Sequence, residues 1–352
     1  MQNRARVIVL GLLSLSLLLI PAIGRPAPQG EGQAPQGGQG GGQGGQNKPP
    51  AHPLAWAYAV PLEKPPAEPE DDGRVYHLPD TNAAFTLKQI RSNTDPVDWY
   101  PGDHPTMPNV VAHGDRPNGV QSCSFCHFPN GKGRPENGNL TGLSYDYIIQ
   151  QLTDFKNGAR RSFDPGKVNT SRMAGFAKGM SDEEMATVAK YFSSMKVTPW
   201  VKVVETENPP KVINVGGYFI TAEGHDTEPI GNRLLEVPVD TEKTFMLRDP
   251  RSPFVAYVPP GTLKKGEMLV TKGGGDGKTV ACAACHGEGL KGNGYFPPLA
   301  GRSASYLARQ LYDFQHFSRT GPGSQLMQPI VEKLSEDDIL AITAYLASLP
   351  PQ

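Results

Sequence analysis

The sequence predicts a mainly α protein in which two small helical domains of one plan are joined by an irregular, partly extended linker. Three observations carry that prediction. The motif Cys-x-x-Cys-His occurs twice, at Cys123, Cys126, His127 and at Cys282, Cys285, His286, an offset of 159 residues. Apolar stripes of helical period follow each motif at the same offset. The stretch between the copies, Pro199 to Gly261, is rich in proline and reads as partly extended.

The chain opens on MQNRAR, an apolar run from Val7 to Ile20 and a small-x-small site at Ala22-Ile23-Gly24. That pattern predicts a secretory signal peptide over 1–24; left uncleaved, it would be a membrane anchor. Residues 25–72 follow as a disordered Gly/Gln/Pro-rich tether, because Pro26 to Pro50 holds too few apolar side chains to offset the entropy of ordering. The first domain is expected over 73–198, with a short helix near Phe85 to Arg91. The linker is 199–261, with Phe254 to Val258 as a strand, and the second domain is 262–352. A helix from Leu263 to Val270 leads into the second motif, whereas Pro108 and Pro117 break the matching stretch before Cys123. The 352 residues carry a formal net charge of −1, which gives no basis for a nucleic-acid clamp.

Within the repeat, YIIQQLTDF from Tyr147 maps onto YLARQLYDF from Tyr306. Ile148, Leu152 and Phe155 fall at i, i+4 and i+7, as do Leu307, Leu311 and Phe314, so each segment is a helix with one buried stripe. The closing helices start at Ser181 and Ser335, where Glu184 and Asp338 complete capping-box signatures.

All four cysteines lie in the two motifs. A redox dithiol needs a βαβ context and gives the adjacent histidine no task. A zinc site of four thiolates would leave both histidines and the repeated helices unexplained. Haem attachment uses every element: two thiols one helical turn apart reach the two vinyl groups of a porphyrin, and the next histidine lies under the iron. Cys123, Cys126, Cys282 and Cys285 are therefore expected to attach two c-type haems covalently, with His127 and His286 as proximal iron ligands.

An electron carrier fills the sixth iron position, commonly with methionine, whereas a peroxidase leaves it open. Met327 stands eight residues before Ser335 and Met173 eight before Ser181, so the repeat selects Met173 and Met327. Met180 aligns with Leu334, Met185 with the core position Ile339, and Met195 lies beyond the helix. His316, His104 and His113 lack counterparts, facing Asn157, Leu263 and Lys272 in the other copy.

These residues, CAACHG, the loop ending PPLAG, YLARQLYDF and Met327 before KLSEDDILAITAYL, resemble the class I cytochromes c, especially the two-domain diheme group called cytochrome c-four. The resemblance spans roughly 120–198 and 262–350. It implies two class I cytochrome c domains, each wrapping one haem, in a periplasmic electron carrier that is not itself an enzyme. The implied partners are a donor dehydrogenase or quinol-oxidising complex and an acceptor oxidase or reductase. The alternatives are the cytochrome subunit of a dehydrogenase complex, or a diheme peroxidase. The resemblance also assigns the Pro297 carbonyl to orienting His286; Gly138 occupies that place in the first copy, so a different acceptor is expected for His127.

Overall fold

The computed structural model describes residues 52–60, 70–215 and 217–351. The expected signal peptide lies outside the described residues, as do 25–51 and 61–69 of the expected tether.

The described chain begins its regular structure with a small antiparallel pair, β1 (Val75–His77) and β2 (Ala84–Thr86). Thr86 then caps the one-turn helix α1 (Leu87–Ile90) through a complete capping box. Helix α2 (Asn109–Ala112) begins right after Pro108, whose fixed φ suits a helix start. The first repeat continues through α3 (Cys123–His127), α4 (Tyr145–Lys156), α5 (Val168–Gly179) and α6 (Asp182–Ser193). The joining segment contributes β3 (Val201–Glu205), β4 (Val212–Val215), β5 (Tyr218–Thr221), β6 (Leu235–Pro238) and β7 (Phe254–Val258). The second repeat comprises α7 (Thr262–Lys272), α8 (Ala283–His286), α9 (Ala304–Gln315), α10 (Pro322–Val331) and α11 (Glu336–Ser348). Among the described residues no helix is long and apolar enough to cross a membrane.

Each repeat has its own core, built on the expected stripes. In the first, Ile148, Leu152 and Phe155 of α4 pack with Met185, Val188 and Phe192 of α6. In the second, Leu307 and Phe314 of α9 pack with Ile339, Ile342 and Leu346 of α11. Both capping boxes close: Glu184 accepts from the Ser181 N–H at 2.8 Å and Asp338 from the Ser335 N–H at 2.9 Å. The shorter aspartate reaches as well as glutamate.

Two expectations need correction. The joining segment is extended in part, with β7 where the strand was expected, but it is not irregular throughout. β7 pairs parallel with β3 and antiparallel with β6 in a three-stranded sheet. Ala256 and Val258 of that sheet pack against Leu340 and Ala344 of α11, while Trp99 on the first-repeat side donates its indole N–H to the Leu247 carbonyl at 2.8 Å. The segment is thus a structured insert held by both sides. Second, residues 52–60 of the expected tether are packed: Leu54 and Ala57 are buried, and Trp56 accepts from the Leu234 N–H at 2.7 Å. The apolar run Leu54 to Val60 supplies enough surface to offset the cost of ordering it, which Pro26 to Pro50 does not.

The repeats meet about an approximate two-fold. The Arg161 N–H bonds the Ser318 carbonyl at 2.8 Å, and the Thr320 N–H, at the equivalent position, bonds the Ala159 carbonyl at 2.7 Å. Arg160 donates to Gln151 and Gln310 at 2.9 and 3.1 Å, and Arg319 donates to Gln310 and Gln151 at 3.0 and 2.7 Å. Each residue and its mate stand 159 apart, so the sequence repeat has become a self-complementary interface.

Candidate haem sites

Both attachment motifs sit on one turn of helix. Cys123 and Cys126 lie in α3, and Cys282 is the N-cap of α8, which holds Cys285; in each motif the cysteines are three residues apart, which places both thiols on one side of the turn, and the histidine follows at once. The chain then leaves each helix by the same unusual backbone, Phe128 at φ 60, ψ 158 and Gly287 at φ 77, ψ 167. Glycine adopts that region freely; Phe128 is strained there by about 1–3 kcal/mol and is held by burial. The turn returns the chain so that the Gly133 N–H bonds the His127 carbonyl at 2.8 Å and the Gly292 N–H bonds the His286 carbonyl at 2.9 Å.

The imidazoles are fixed in the same way. His286 Nδ1 lies 2.8 Å from the Pro297 carbonyl oxygen, and His127 Nδ1 lies 2.8 Å from the Gly138 carbonyl oxygen. The expectation of a different acceptor in the first copy is therefore corrected: the acceptor is backbone, so glycine serves where proline does. Each bond requires Nδ1 to carry the proton and leaves Nε2 as the free lone pair, the tautomer a metal ligand needs. Burial keeps both rings neutral by lowering their pKa, against the opposing effect of the carbonyl bond.

Both histidines face one cavity of about 650 Å³, which Cys123, Cys126, Cys282 and Cys285 also line. Met173 from α5 and Met327 from α10 line it too, as does Met180. Met185 and Met195 lie in the first core. The three other histidines weighed as ligands are occupied elsewhere: His104 with Asp98 at 3.1 Å, His113 with Asp95 at 2.7 Å, and His316 stacked on Tyr312 at 4.0 Å. The structure thus brings together all eight residues picked from the sequence around one cavity.

The competing chemistries do not fit. Burial pushes the Cys123 thiol up to about 12 and Cys282 to about 11, opposite to the lowered value a reactive dithiol needs. Among the described residues no three His, Cys, Asp or Glu side chains gather as a metal cluster, so the four thiols do not form a zinc site.

A haem fits, and the fit rests partly on residues the sequence reading missed. Buried Arg302, Arg309 and Arg319 and half-buried Arg160 line the same cavity, against the carboxylates of Glu136 and Asp313. A buried cation needs an anion or full hydrogen bonding. Arg302 meets the second condition, donating to the carbonyls of Pro298, Asn139 and Thr141 at 2.6, 2.7 and 2.8 Å, so one side chain of the second repeat ties down the first. The excess positive charge suits the propionates of a porphyrin. Extending the repeat register past Phe155 would have flagged Arg160 and Arg319, which share the 159 offset; Arg302 has only Leu143 as counterpart and left no such signal.

Comparison with known proteins agrees with this geometry. The cytochrome c family model matches residues 118–196 and 264–350, one match per repeat. Cytochrome c4 of Azotobacter vinelandii is 26% identical over 232 residues, covering 64% of this chain and 84% of that one. The thiosulfate dehydrogenase electron acceptor of Thiomonas intermedia is 26% identical over 238 residues, 66% of this chain and 81% of that one. Cytochrome c-554(548) of Halomonas halodenitrificans is 37% identical over 75 residues, which are 21% of this chain and 90% of that protein. Matched once in each repeat, this chain belongs to the cytochrome c family, as a diheme class I cytochrome c resembling the cytochrome c4 group, with two covalently attached c-type haems.

Proposed function

We propose that each repeat holds one haem, in domains spanning 73–198 and 262–352, and that the protein carries electrons in the periplasm between a respiratory donor and a terminal oxidase or reductase. Cys123 and Cys126 attach the first haem and Cys282 and Cys285 the second. His127 with Met173, and His286 with Met327, complete the two iron coordination spheres. A bound haem supplies a one-electron iron couple. The chain's part is to fix the proximal imidazoles through the Gly138 and Pro297 carbonyls, to supply methionine sulfur from α5 and α10, and to keep water from the iron.

The observation that carries this reading is the duplication of the whole constellation, His Nδ1 to carbonyl at 2.8 Å in both copies, around one cavity that a methionine lines in each repeat. Two methionines in place argue for a filled sixth position, against the open one a peroxidase requires. The test is the methionine-to-iron charge-transfer band: Met173→Ala and Met327→Ala should each remove about half of it, while Met185→Ala keeps it whole. Retention of the full band in either of the first two variants refutes the ligand assignment.

One observation favours a second reading, the cytochrome subunit of a dehydrogenase complex: the relative from Thiomonas intermedia is a thiosulfate dehydrogenase electron acceptor. Co-purification of a stoichiometric dehydrogenase with this chain would select it over the free carrier.

A further inference from the structure

The two attachment motifs repeat in sequence but not in surroundings. Around the second, Ala283, Ala284 and Cys285 are exposed. Around the first, Phe125 and Cys126 are partly covered by the insert, which lays Arg248 over the motif. The Arg248 guanidinium sits 4.2 Å from the Phe125 ring centroid and donates to the Phe125 carbonyl, inside the Cys-x-x-Cys turn itself. Arg248 adopts φ 55, an uncommon backbone for a non-glycine residue, so the fold holds it there at a cost.

Its charged neighbours come from the first repeat. Arg134 pairs with Glu136 at 2.7 Å and lies 5.2 Å from the Tyr218 ring centroid and 5.1 Å from that of Phe245, both insert residues. Two guanidiniums and one carboxylate leave this nest net positive. Burial pulls Arg248 down only to about 10, so it remains a cation at neutral pH. In the second repeat the positions matching Arg134 and Glu136 are Asn293 and Tyr295, both uncharged.

We propose that Arg248 is a potential-setting residue of the first repeat, an insert-borne cation that raises the reduction potential of the first haem relative to the second. The proposal rests on the haem reading above. Reduction adds one negative charge at the iron, and a half-buried cation beside the attachment turn stabilises that state more than the oxidised one. The proximal histidines cannot create the difference, since their carbonyl bonds are equal at 2.8 Å. Arg160 and Arg319 cannot either, since they are related by the repeat and face both copies alike. The arrangement acts on the haem through the turn that carries it, so Arg248 is a positioning and electrostatic residue, not a ligand.

The experiment is a spectroscopic redox titration of the full, haem-loaded chain as parent, Arg248→Gln and Arg248→Lys. A variant lacking both Cys123 and Cys126 identifies which wave belongs to the first haem. Arg248→Gln should lower the first haem's reduction equilibrium constant about tenfold, about 59 mV for a one-electron couple, and leave the second wave in place. Arg248→Lys should keep most of the parent value, and most of the difference should persist at high salt, because a partly buried charge is screened less than an exposed one. An unmoved first wave in Arg248→Gln, an equal fall in Arg248→Lys, or a joint shift of both waves would overturn the proposal. Absence of covalent haem from the parent chain would instead overturn the reading beneath it, and the two failures are thereby told apart.

Discussion

Gly266 lies where α7 crosses α11, and replacing it with alanine sets two effects of opposite sign against each other. In an exposed helix the change stabilises by about 1 kcal/mol through helix propensity. Here an added Cβ would run into the Ala341 carbonyl oxygen and come within 2.6 Å of the Tyr345 Cβ. A backbone oxygen cannot rotate away, so the helices must separate, and overpacking of this kind costs about 3 kcal/mol. The clash wins, and Gly266→Ala should destabilise the second repeat by about 2 kcal/mol. The crossing matters to the site because α7 fixes the second motif through the Cys282 N–H to Val270 carbonyl bond of 2.9 Å. Gly175 in α5 is the control: it is exposed, with nothing within 4 Å of an added Cβ, so Gly175→Ala should stabilise by up to about 1 kcal/mol. Urea unfolding followed by helical circular dichroism and haem absorbance measures both. A Gly266→Ala midpoint at or above the parent, or the same sign for both variants, would refute the close crossing.

Two further predictions follow from buried charges. Arg302→Met removes three bonds to carbonyls, two of them in the other repeat, and should cost about 3 kcal/mol and split a single unfolding transition into two in calorimetry. Burial would raise the Asp338 pKa, but hydrogen bonds from Lys265 at 2.8 Å, Lys278 at 2.5 Å and Ser335 hold it well below the usual carboxylate range. A depressed folded pKa gives stability that is present above the unfolded value and lost as pH falls through the folded one. Asp338→Asn should therefore unfold about 2 kcal/mol more easily at pH 7, with the gap to the parent closing below about pH 4 in acid denaturation.

The repeat, the helices and the capping boxes were legible because each depends on local pattern: Ile148, Leu152 and Phe155 share a face whatever surrounds them, and Ser181 with Glu184 needs only its own turn. The eight residues picked for the cavity were nameable because the Cys-x-x-Cys-His spacing marks six of them and the register between copies picks out Met173 and Met327, although Met180 lines the cavity as well. What remained hidden depends on distant partners or on backbone. The bond from His127 goes to the Gly138 carbonyl, and no side chain announces a carbonyl. β3 and β7 pair from opposite ends of the insert, with β6 on the other edge of β7, a pairing that proline-rich composition conceals. Buried Glu236 on β6 accepts from Ser303 at 2.8 Å and from the Ser305 N–H at 2.9 Å near the start of α9, a capping contact made from outside the repeat. Arg248 was invisible for the same reason, since only the fold brings it to Phe125.

The central claim, one covalent haem in each repeat, is tested most directly by mass spectrometry of the purified chain and its proteolytic peptides. The account predicts an intact mass raised by two haems, with one haem on the peptide holding Cys123 and Cys126 and one on the peptide holding Cys282 and Cys285. A chain with unmodified thiols at either motif would contradict it.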